Sequence, residues 1–126
     1  MQDKIISEYE SDPAIQPFIK LYIDVLKERL LEFRKSIEDQ DAEGVKNISH
    51  KFYGTSASFG FPEICKLILD VESDFYSFKK ELCPLSKVYA NFNRLAVECT
   101  KITTKNYEMK SPVDSVVFDS TRLEGT

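Results

Sequence analysis

Apolar residues recur every three or four positions along most of this chain, which is the period of a helix that packs one face against a core. Four stretches between Asp12 and Ile102 have this period, and none of them alternates with the two-residue period of a strand. Each stretch therefore predicts an amphipathic helix. The four predicted core stripes are Phe18, Tyr22, Leu26, Leu30, Phe33, Ile37; Val45, Ile48, Phe52, Ser56 or Thr55, Phe59; Ile64, Leu67, Ile68, Val71, Phe75, Phe78; and Leu85, Val88, Phe92, Leu95, Cys99, Ile102.

Residues that start or stop helices lie between these stretches. Asp41 can accept hydrogen bonds from the free amides at the start of the second helix, and Gly60 can end that helix in a left-handed conformation. Pro62 fits the first turn of the third helix. The first helix begins near Pro13 or Pro17, each tolerable only in a first turn, so residues 12–16 are expected to form a separate short turn.

Short connections make neighbouring helices antiparallel, which determines the expected fold. It is an all-α, up-down antiparallel four-helix bundle over residues 1–103, with a short helical turn at its N-terminal end. Residues 104–126 lack the helical period, Ser111-Pro112 breaks any helix, and residues 113–118 are a weak strand-like run. An irregular tail, packed locally or partly disordered, is expected there, with a partner-binding segment as the alternative.

Composition and charge limit the cellular compartment and the class of partner molecule that we expect. The 126 residues are enough for one domain with a real core. Seventeen basic and 21 acidic residues give a formal charge of -4, which attracts neither nucleic acid nor an anionic membrane, so proteins are the expected partners. No apolar run approaches the roughly 18 residues of a membrane span, and the start MQDKIISEYE is too polar for a signal peptide. We expect a cytoplasmic monomer.

The three cysteines, Cys65, Cys83 and Cys99, do not form a disulfide framework or a zinc pattern. They lie within or near apolar helical stretches, so free thiols with a packing role are expected. Metal or redox use is the alternative. No metal site is predicted.

His50 is the one histidine in the chain. At about 100° per residue, it projects from the side of the second helix opposite the core stripe, together with Lys46, Tyr53 and Gly54. This placement argues against a histidine that is satisfied within the core. It leaves two interpretations, a solvated residue without a role and a functional imidazole.

Gly54 favours the functional imidazole. A glycine inside a helix costs roughly 1 kcal/mol relative to alanine, and this one lies beside the imidazole, four residues after His50. Without a Cβ there, and with only Ala57 on the next turn, another molecule can approach the ring closely. An imidazole that is neutral near pH 7 can act as a nucleophile or a metal ligand.

The run from His50 to Phe61, HKFYGTSASFGF, resembles the motif of histidine-containing phosphotransfer (HPt) domains, in which a histidine, two glycines and a stretch of small residues keep a fixed spacing. The resemblance covers residues 13–102. It implies the antiparallel helical bundle described above and a phosphoryl group that His50 accepts, on Nε2, and passes on. It also implies that Gly54 opens the approach to the imidazole.

The resemblance further implies a role for Glu72, which stands where the family has Glu or Gln on the next helix. A carboxylate there can hydrogen-bond the other ring nitrogen, fixing its tautomer and orientation and so raising its nucleophilicity. The alternative is a solvated charge at the flank of the core stripe.

Tyr53 departs from the family, which often has a lysine at this place to neutralise the phosphoryl group. Tyr53 can donate only one hydrogen bond. Lys46 and Lys51 are the candidate replacements, and Lys46 is the better one because it shares the face of His50.

A second stripe on the third helix, outside the core set, suggests where a partner docks. Together with Tyr53 and Ala57 it would form a partly apolar patch around the imidazole, and such patches mark protein contacts. The alternative is ordinary packing against the fourth helix. The residues of this stripe are Cys65, Leu69 and Tyr76.

The function that these features predict is a stand-alone phosphocarrier, with no cofactor of its own, that relays a phosphoryl group between receiver-domain aspartates. A hybrid histidine kinase and response-regulator receiver domains are the expected partners, and they would supply the Mg²⁺ and the catalysis.

The chain has no Gly-rich phosphate loop. A di-iron bundle needs two Glu-x-x-His pairs, which one histidine cannot provide. The remaining alternative is a helical adaptor that binds a kinase or receiver without being phosphorylated, and Tyr53 is the feature that favours it.

Overall fold

Four long helices make up most of the described chain, and they pack against each other. The computed structural model describes residues 4–105, 107–110 and 114–124. The long helices are α1 (Gln16–Glu38), α2 (Ala42–Ser58), α3 (Pro62–Lys79) and α4 (Leu85–Cys99). Two short antiparallel strands, β1 (Thr103–Thr104) and β2 (Tyr107–Glu108), and the short helix α5 (Ser120–Glu124) follow. Helices account for 66% of the structure, so the predicted all-α class is confirmed.

The helix ends lie where the sequence predicts them. The Asp41 carboxylate accepts a hydrogen bond from the Gly44 amide at 3.0 Å, which caps α2. Gly60 follows the end of α2 with φ +83°, a conformation that favours glycine. Pro62 and Pro17 lie in the first turns of α3 and α1. These four predictions are confirmed.

The turn predicted before α1 is also present. The amides of Ile15 and Gln16 both donate to the carbonyl of Asp12, at 3.0 and 3.1 Å, and the Asp12 carboxylate accepts from the Ala14 amide at 2.9 Å. The chain therefore enters α1 through a hydrogen-bonded turn.

The core lies between the long helices. α1 packs on α2, α2 on α3 and α3 on α4, with α1 and α4 in less extensive contact. Aromatic rings fill much of the interior, and the rings of Phe33 and Phe92 meet edge to face with centroids 5.9 Å apart. The largest fully buried side chains are those of Phe33, Phe52, Phe61, Phe75 and Phe92.

Phe18 is the main error in the predicted core. Its side chain is 50% exposed, whereas Ile19 and Ile23 are buried. Phe18 lies in the first turn of α1, where its ring stacks on Phe59 with centroids 6.3 Å apart. The buried stripe of α1 passes through Ile19 and Ile23, whereas each step of four residues from Leu30 back to Phe18 drifts about 40° around the helix, away from that stripe.

Where the structure describes the tail, it is packed on the bundle, which is one of the two expected states, and it contains short regular elements. β1, β2 and α5 form there, and Val116 and Phe118 belong to the same buried cluster as the helices. Asn93 of α4 pairs with the backbone of Phe118 through both ends of its amide, at 2.7 and 2.8 Å. Residues 114–117 form turns and a bend instead of the predicted strand, and Val113 lies outside the described residues.

The N-terminal segment is tied to two distant parts of the chain. Ile5 forms a parallel bridge with Ile102, with hydrogen bonds of 2.7 Å to the Lys101 carbonyl and 3.0 Å from the Thr103 amide. The amide of Glu8 donates to the Gly60 carbonyl at 2.9 Å. This segment therefore runs beside the turn between α2 and α3.

Candidate functional site

His50 lies on the exposed face of α2, as the periodicity predicts. The buried residues of α2, including Val45, Ile48 and Phe52, face the other way. The imidazole borders an open cleft of about 560 Å³ between α2 and α3. The other residues that line this cleft are Lys46, Asn47, Ser49, Tyr53, Leu69 and Glu72.

Gly54 has open space around it. A Cβ placed there would meet no atom within 4 Å. At Gly44 a Cβ would come within 2.6 Å of the Asp41 carboxylate, and at Gly60 it would come within 2.8 Å of the Ser7 hydroxyl. Gly44 and Gly60 thus have intramolecular reasons to be glycine, whereas the described part of the chain offers none for Gly54.

The two candidate lysines, Lys46 and Lys51, line different clefts. Lys46 lines the His50 cleft. The Lys51 ammonium lies 3.3 Å from the Glu32 carboxylate of α1, and Lys51 lines a different cleft, between α1 and α2. Its part in stabilising a phosphoryl group stays a prediction, in which Glu32 would compete for the charge. Tyr53 lines the His50 cleft and is 38% exposed.

Glu72 reaches the same cleft from α3, where other groups hold one of its oxygens. Its Oε2 accepts a hydrogen bond of 2.7 Å from the Ser49 hydroxyl and a longer one, 3.5 Å, from the Tyr76 hydroxyl. Within the described residues, neither ring nitrogen of His50 is hydrogen-bonded to a protein group, Glu72 included. The orienting role of Glu72 therefore stays a prediction, and both groups face the cleft in which it would operate.

Burial and the neighbouring Glu72 carboxylate raise the pKa of the Tyr76 phenol above its ordinary value. Burial likewise raises the pKa of the Cys65 thiol, whose Sγ lies 3.7 Å from the Tyr53 carbonyl. Both groups are therefore protonated at neutral pH. Tyr76 can serve as a hydrogen-bond donor to Glu72, and the uncharged Cys65 thiol can donate to the Tyr53 carbonyl.

The four predicted docking residues border a continuous surface, which we call the α2–α3 groove. It consists of the His50 cleft and two adjoining clefts of about 360 and 420 Å³. Leu69, 46% exposed, borders all three. Ala57 and Cys65 line the first adjoining cleft, and Tyr76 lines the second. Cys65 is only 7% exposed, so it contributes little of the surface itself.

Several residues of the groove escaped the sequence reasoning, among them Ser49, Glu8 and Leu82. Ser49 was missed because hydrophobic periodicity says nothing about a small polar residue beside the core stripe. Glu8 and Leu82 were missed because they lie outside the paired helices, and only the folded chain brings them to the adjoining clefts. The one sequence signal for any of these residues was that Ser49 stands immediately before His50.

No group of three His, Cys, Asp or Glu side chains converges as a metal site would require, within residues 4–105, 107–110 and 114–124. None of the helices in this part of the chain is long and apolar enough to cross a membrane.

Four packed helices present the His50 imidazole in an open cleft between α2 and α3. The family model of the Hpt domain matches residues 17–86, which is more than half of the chain, and the chain therefore belongs to the Hpt domain family. Hpt domains are phosphocarriers of two-component signalling systems. Searches among curated proteins and among solved structures gave no significant match.

Proposed function

We propose that this Hpt domain is a stand-alone phosphocarrier that takes a phosphoryl group onto His50 from a receiver-domain aspartate or a hybrid histidine kinase. It then returns the group to the aspartate of another receiver. The observation that carries the proposal is the exposed His50 imidazole beside Gly54, where open space lets a partner reach the ring.

In the proposed transfer, the lone pair of His50 Nε2 attacks the phosphorus of an aspartyl phosphate. The new P–N bond forms as the P–O bond breaks, and the bonding electrons leave with the aspartate carboxylate. Nδ1 keeps its proton, so the ring becomes an imidazolium that carries the phosphoryl group. The reverse step regenerates neutral His50.

The groups around the ring suit this reaction. Lys46 places a positive charge in the cleft that would receive the phosphoryl oxygens, and Tyr53 can donate a hydrogen bond there. In the proposal, Glu72 accepts a hydrogen bond from Nδ1–H and stabilises the positive ring. Proximity accounts for the rest of the rate, and the Mg²⁺ would be held by the partner.

The α2–α3 groove is the proposed docking surface for receiver domains. It combines exposed Leu69 and Tyr53 with the small Ala57, and charged residues lie at its edges. Exposed apolar surface with a charged rim is typical of protein contacts. Cys65 and Tyr76 would support this surface from below and from its far end.

The proposal includes an up-down antiparallel arrangement of the four helices, supported by their short connections and by the packing of each helix on the next. It also includes a cytoplasmic monomer. All three cysteines are free thiols, which suits a reducing compartment, and a monomer leaves the groove open to receivers.

The test is transfer from receiver domains that have been phosphorylated with acetyl phosphate. We expect an acid-labile, alkali-stable label on the wild-type protein and none on the His50→Gln variant. Receiver binding without label, across a panel of receivers from the same organism, would instead identify the helical adaptor, in which Tyr53 has replaced a group needed for exchange.

A further inference from the structure

Ser49 lines the His50 cleft although its side chain is only 2% exposed. Its hydroxyl has one proton to donate. Two acceptors are near, the Lys46 carbonyl at 3.1 Å and Glu72 Oε2 at 2.7 Å. The shorter contact is to a carboxylate, and charge-assisted hydrogen bonds are the stronger kind. Ser49 therefore links α2 to α3 in the cleft that the imidazole borders.

This link determines which part of Glu72 remains available. A carboxylate has two oxygens with about four lone-pair sites. Ser49 and Tyr76 both approach Oε2, whereas Oε1 has no hydrogen-bond donor among the described residues. Glu72 is thus held at one oxygen and free at the other, on the wall of the cleft that it shares with His50.

We propose that Ser49 is a positioning residue, which fixes the Glu72 carboxylate through Oε2 so that Oε1 can accept a hydrogen bond from His50 Nδ1–H. That bond would keep the proton on Nδ1 and leave the Nε2 lone pair free for phosphorus. This inference rests on the proposed function, because it concerns the same histidine. Tyr76, protonated at neutral pH, provides the second and weaker support for the same oxygen.

The opposite possibility is that Ser49 competes with His50 for Glu72. The two interpretations predict changes of opposite sign, since losing a support slows phosphorylation whereas losing a competitor speeds it. A single substitution therefore distinguishes them.

The test uses potassium phosphoramidate, a small phosphoryl donor, so that no partner protein is needed. The Nε2 lone pair forms the new P–N bond, and the donor's own P–N bond breaks to release ammonia. The variants are Ser49→Ala, Ser49→Cys, Ser49→Thr and Glu72→Ala, with the double variant of Ser49→Ala and Glu72→Ala. Nitrogen-15 spectra of the His50 ring report its tautomer independently.

Ser56→Ala is the matched control. Ser56 is another buried serine of α2, and its hydroxyl lies 2.6 Å from the Tyr22 hydroxyl of α1, away from the His50 cleft. Its loss removes a comparable hydrogen bond between helices, so it should reduce stability without altering the phosphorylation rate or the tautomer.

We expect Ser49→Ala and Ser49→Cys to lower the phosphorylation rate about 5- to 10-fold, as the loss of one hydrogen bond would, and to lower the Nδ1–H tautomer fraction. Ser49→Thr should keep both near wild type. The double variant should be no slower than Glu72→Ala, because residues that act as one unit are not additive. If Ser49→Ala unfolds, Ser49→Cys, which nearly keeps the shape, still gives the answer.

A Ser49→Ala protein that is phosphorylated at an unchanged or faster rate, and whose Nδ1–H tautomer fraction does not fall, would overturn the inference. Failure of the proposed function looks different, because the wild-type protein would then take no label from phosphoramidate or from receivers. The tautomer measurement would still decide the role of Ser49 in that case.

Discussion

Gly54 weakens the helix that carries it without filling any structural need of the described chain. A helix-interior glycine costs about 1 kcal/mol relative to alanine. Gly44 and Gly60 avoid contacts with Asp41 and Ser7, but a Cβ at position 54 would meet nothing. The lost stability is explained if the absence of a Cβ lets another molecule approach the His50 imidazole.

Replacing Gly54 should therefore separate stability from exchange. We expect Gly54→Ala to raise the free energy of unfolding by about 1 kcal/mol in denaturant titrations. Gly54→Gln, whose longer side chain lies beside the imidazole, should slow transfer from receiver domains at least about tenfold, the size of a misfit of about 1.4 kcal/mol in the docked complex. Labelling by the much smaller phosphoramidate should change far less.

Gly44→Ala is the control for this pair. Its new Cβ would come within 2.6 Å of the capping carboxylate of Asp41, so this substitution should destabilise the protein and leave transfer unaffected. A Gly54→Gln protein that exchanges with receivers as fast as wild type would contradict the access role of Gly54.

Because position 53 holds a tyrosine, Lys46 is the lysine that lines the His50 cleft. A second ammonium at position 53, about 4 Å from the phosphoryl oxygens, would add about 1 kcal/mol of attraction in water, or roughly a fivefold gain in rate. We expect Tyr53→Lys to give this gain with phosphoramidate, and the gain to shrink as salt is added.

Tyr53→Met supplies a flexible side chain without the charge and should show no such gain. An equal gain in both variants would mean that the phenol hinders access, and would argue against the electrostatic explanation.

The sequence predicts the face of a helix on which a residue lies better than it predicts which residues of different helices are in contact. The exposed face of His50 and the glycine beside it followed from helical period. The bonds from Ser49 to Glu72 and from Lys51 to Glu32 could not be foreseen, because each joins two helices and depends on their relative placement.

At the scale of the elements, α1 and α3 end without glycine. Gln40 and Glu81, which follow their last turns, have φ of 52° and 62°. This left-handed conformation costs a residue with a Cβ about 1–2 kcal/mol. By contrast, the residue that follows the end of α2 in this conformation is Gly60, which adopts φ +83° without that cost.

Gln40→Gly should relieve this strain. The gain is partly offset by the larger entropy of glycine in the unfolded chain, so we expect a net rise of about 0.5–1 kcal/mol in the free energy of unfolding. Gln40→Ala, which keeps the Cβ, should give no rise. Thermal unfolding of the three proteins checks this, and a rise in both variants would show that the φ angle is not the cause.

The long helices were the most predictable elements, because caps and prolines mark their ends in the sequence. Asp41, Gly60 and Pro62 each act where expected. Phe18 shows the limit of the method, since repeated steps of four residues drift around the helix and miss the buried stripe, which passes through Ile19.

At the scale of the whole molecule, charged contacts hold the C-terminal segment against the bundle. The Arg34 guanidinium donates to the carbonyls of Ser115, Val116 and Val117 at 3.2, 2.7 and 2.9 Å. The Arg122 guanidinium lies 2.6 Å from the Glu38 carboxylate, which Arg34 also contacts. Local patterns could not predict this packing, because Arg34 is far from the tail in sequence.

The pKa of Glu38 indicates that this contact depends on pH. Burial raises the pKa, but hydrogen bonds from Arg122 and Arg34 outweigh burial and bring it below the ordinary value of 4.5. A carboxyl with a lowered pKa in the folded state stabilises the fold above its unfolded pKa, and this stabilisation disappears as the pH falls through the folded pKa. We expect Glu38→Gln to lower stability by up to about 1 kcal/mol at pH 7 and to have little effect in strong acid.

Denaturant titrations of both proteins across this pH range provide the measurement. Asp39→Asn removes one charge at the next position, where the pair with Lys35 is well exposed, and should change stability less. An effect of Glu38→Gln that is equally large at all pH values would rule out the ion pairs as its source.

The bridge between Ile5 and Ile102 has a consequence for the order of folding. It joins segments that lie on either side of all four long helices, so its amides can pair only after the helices have brought the two segments together. Contacts of such long sequence separation form late and often open first. Formation of the bridge should therefore be a late step that completes the native structure. Amide hydrogen exchange at the bridge should report the first partial opening of the folded protein.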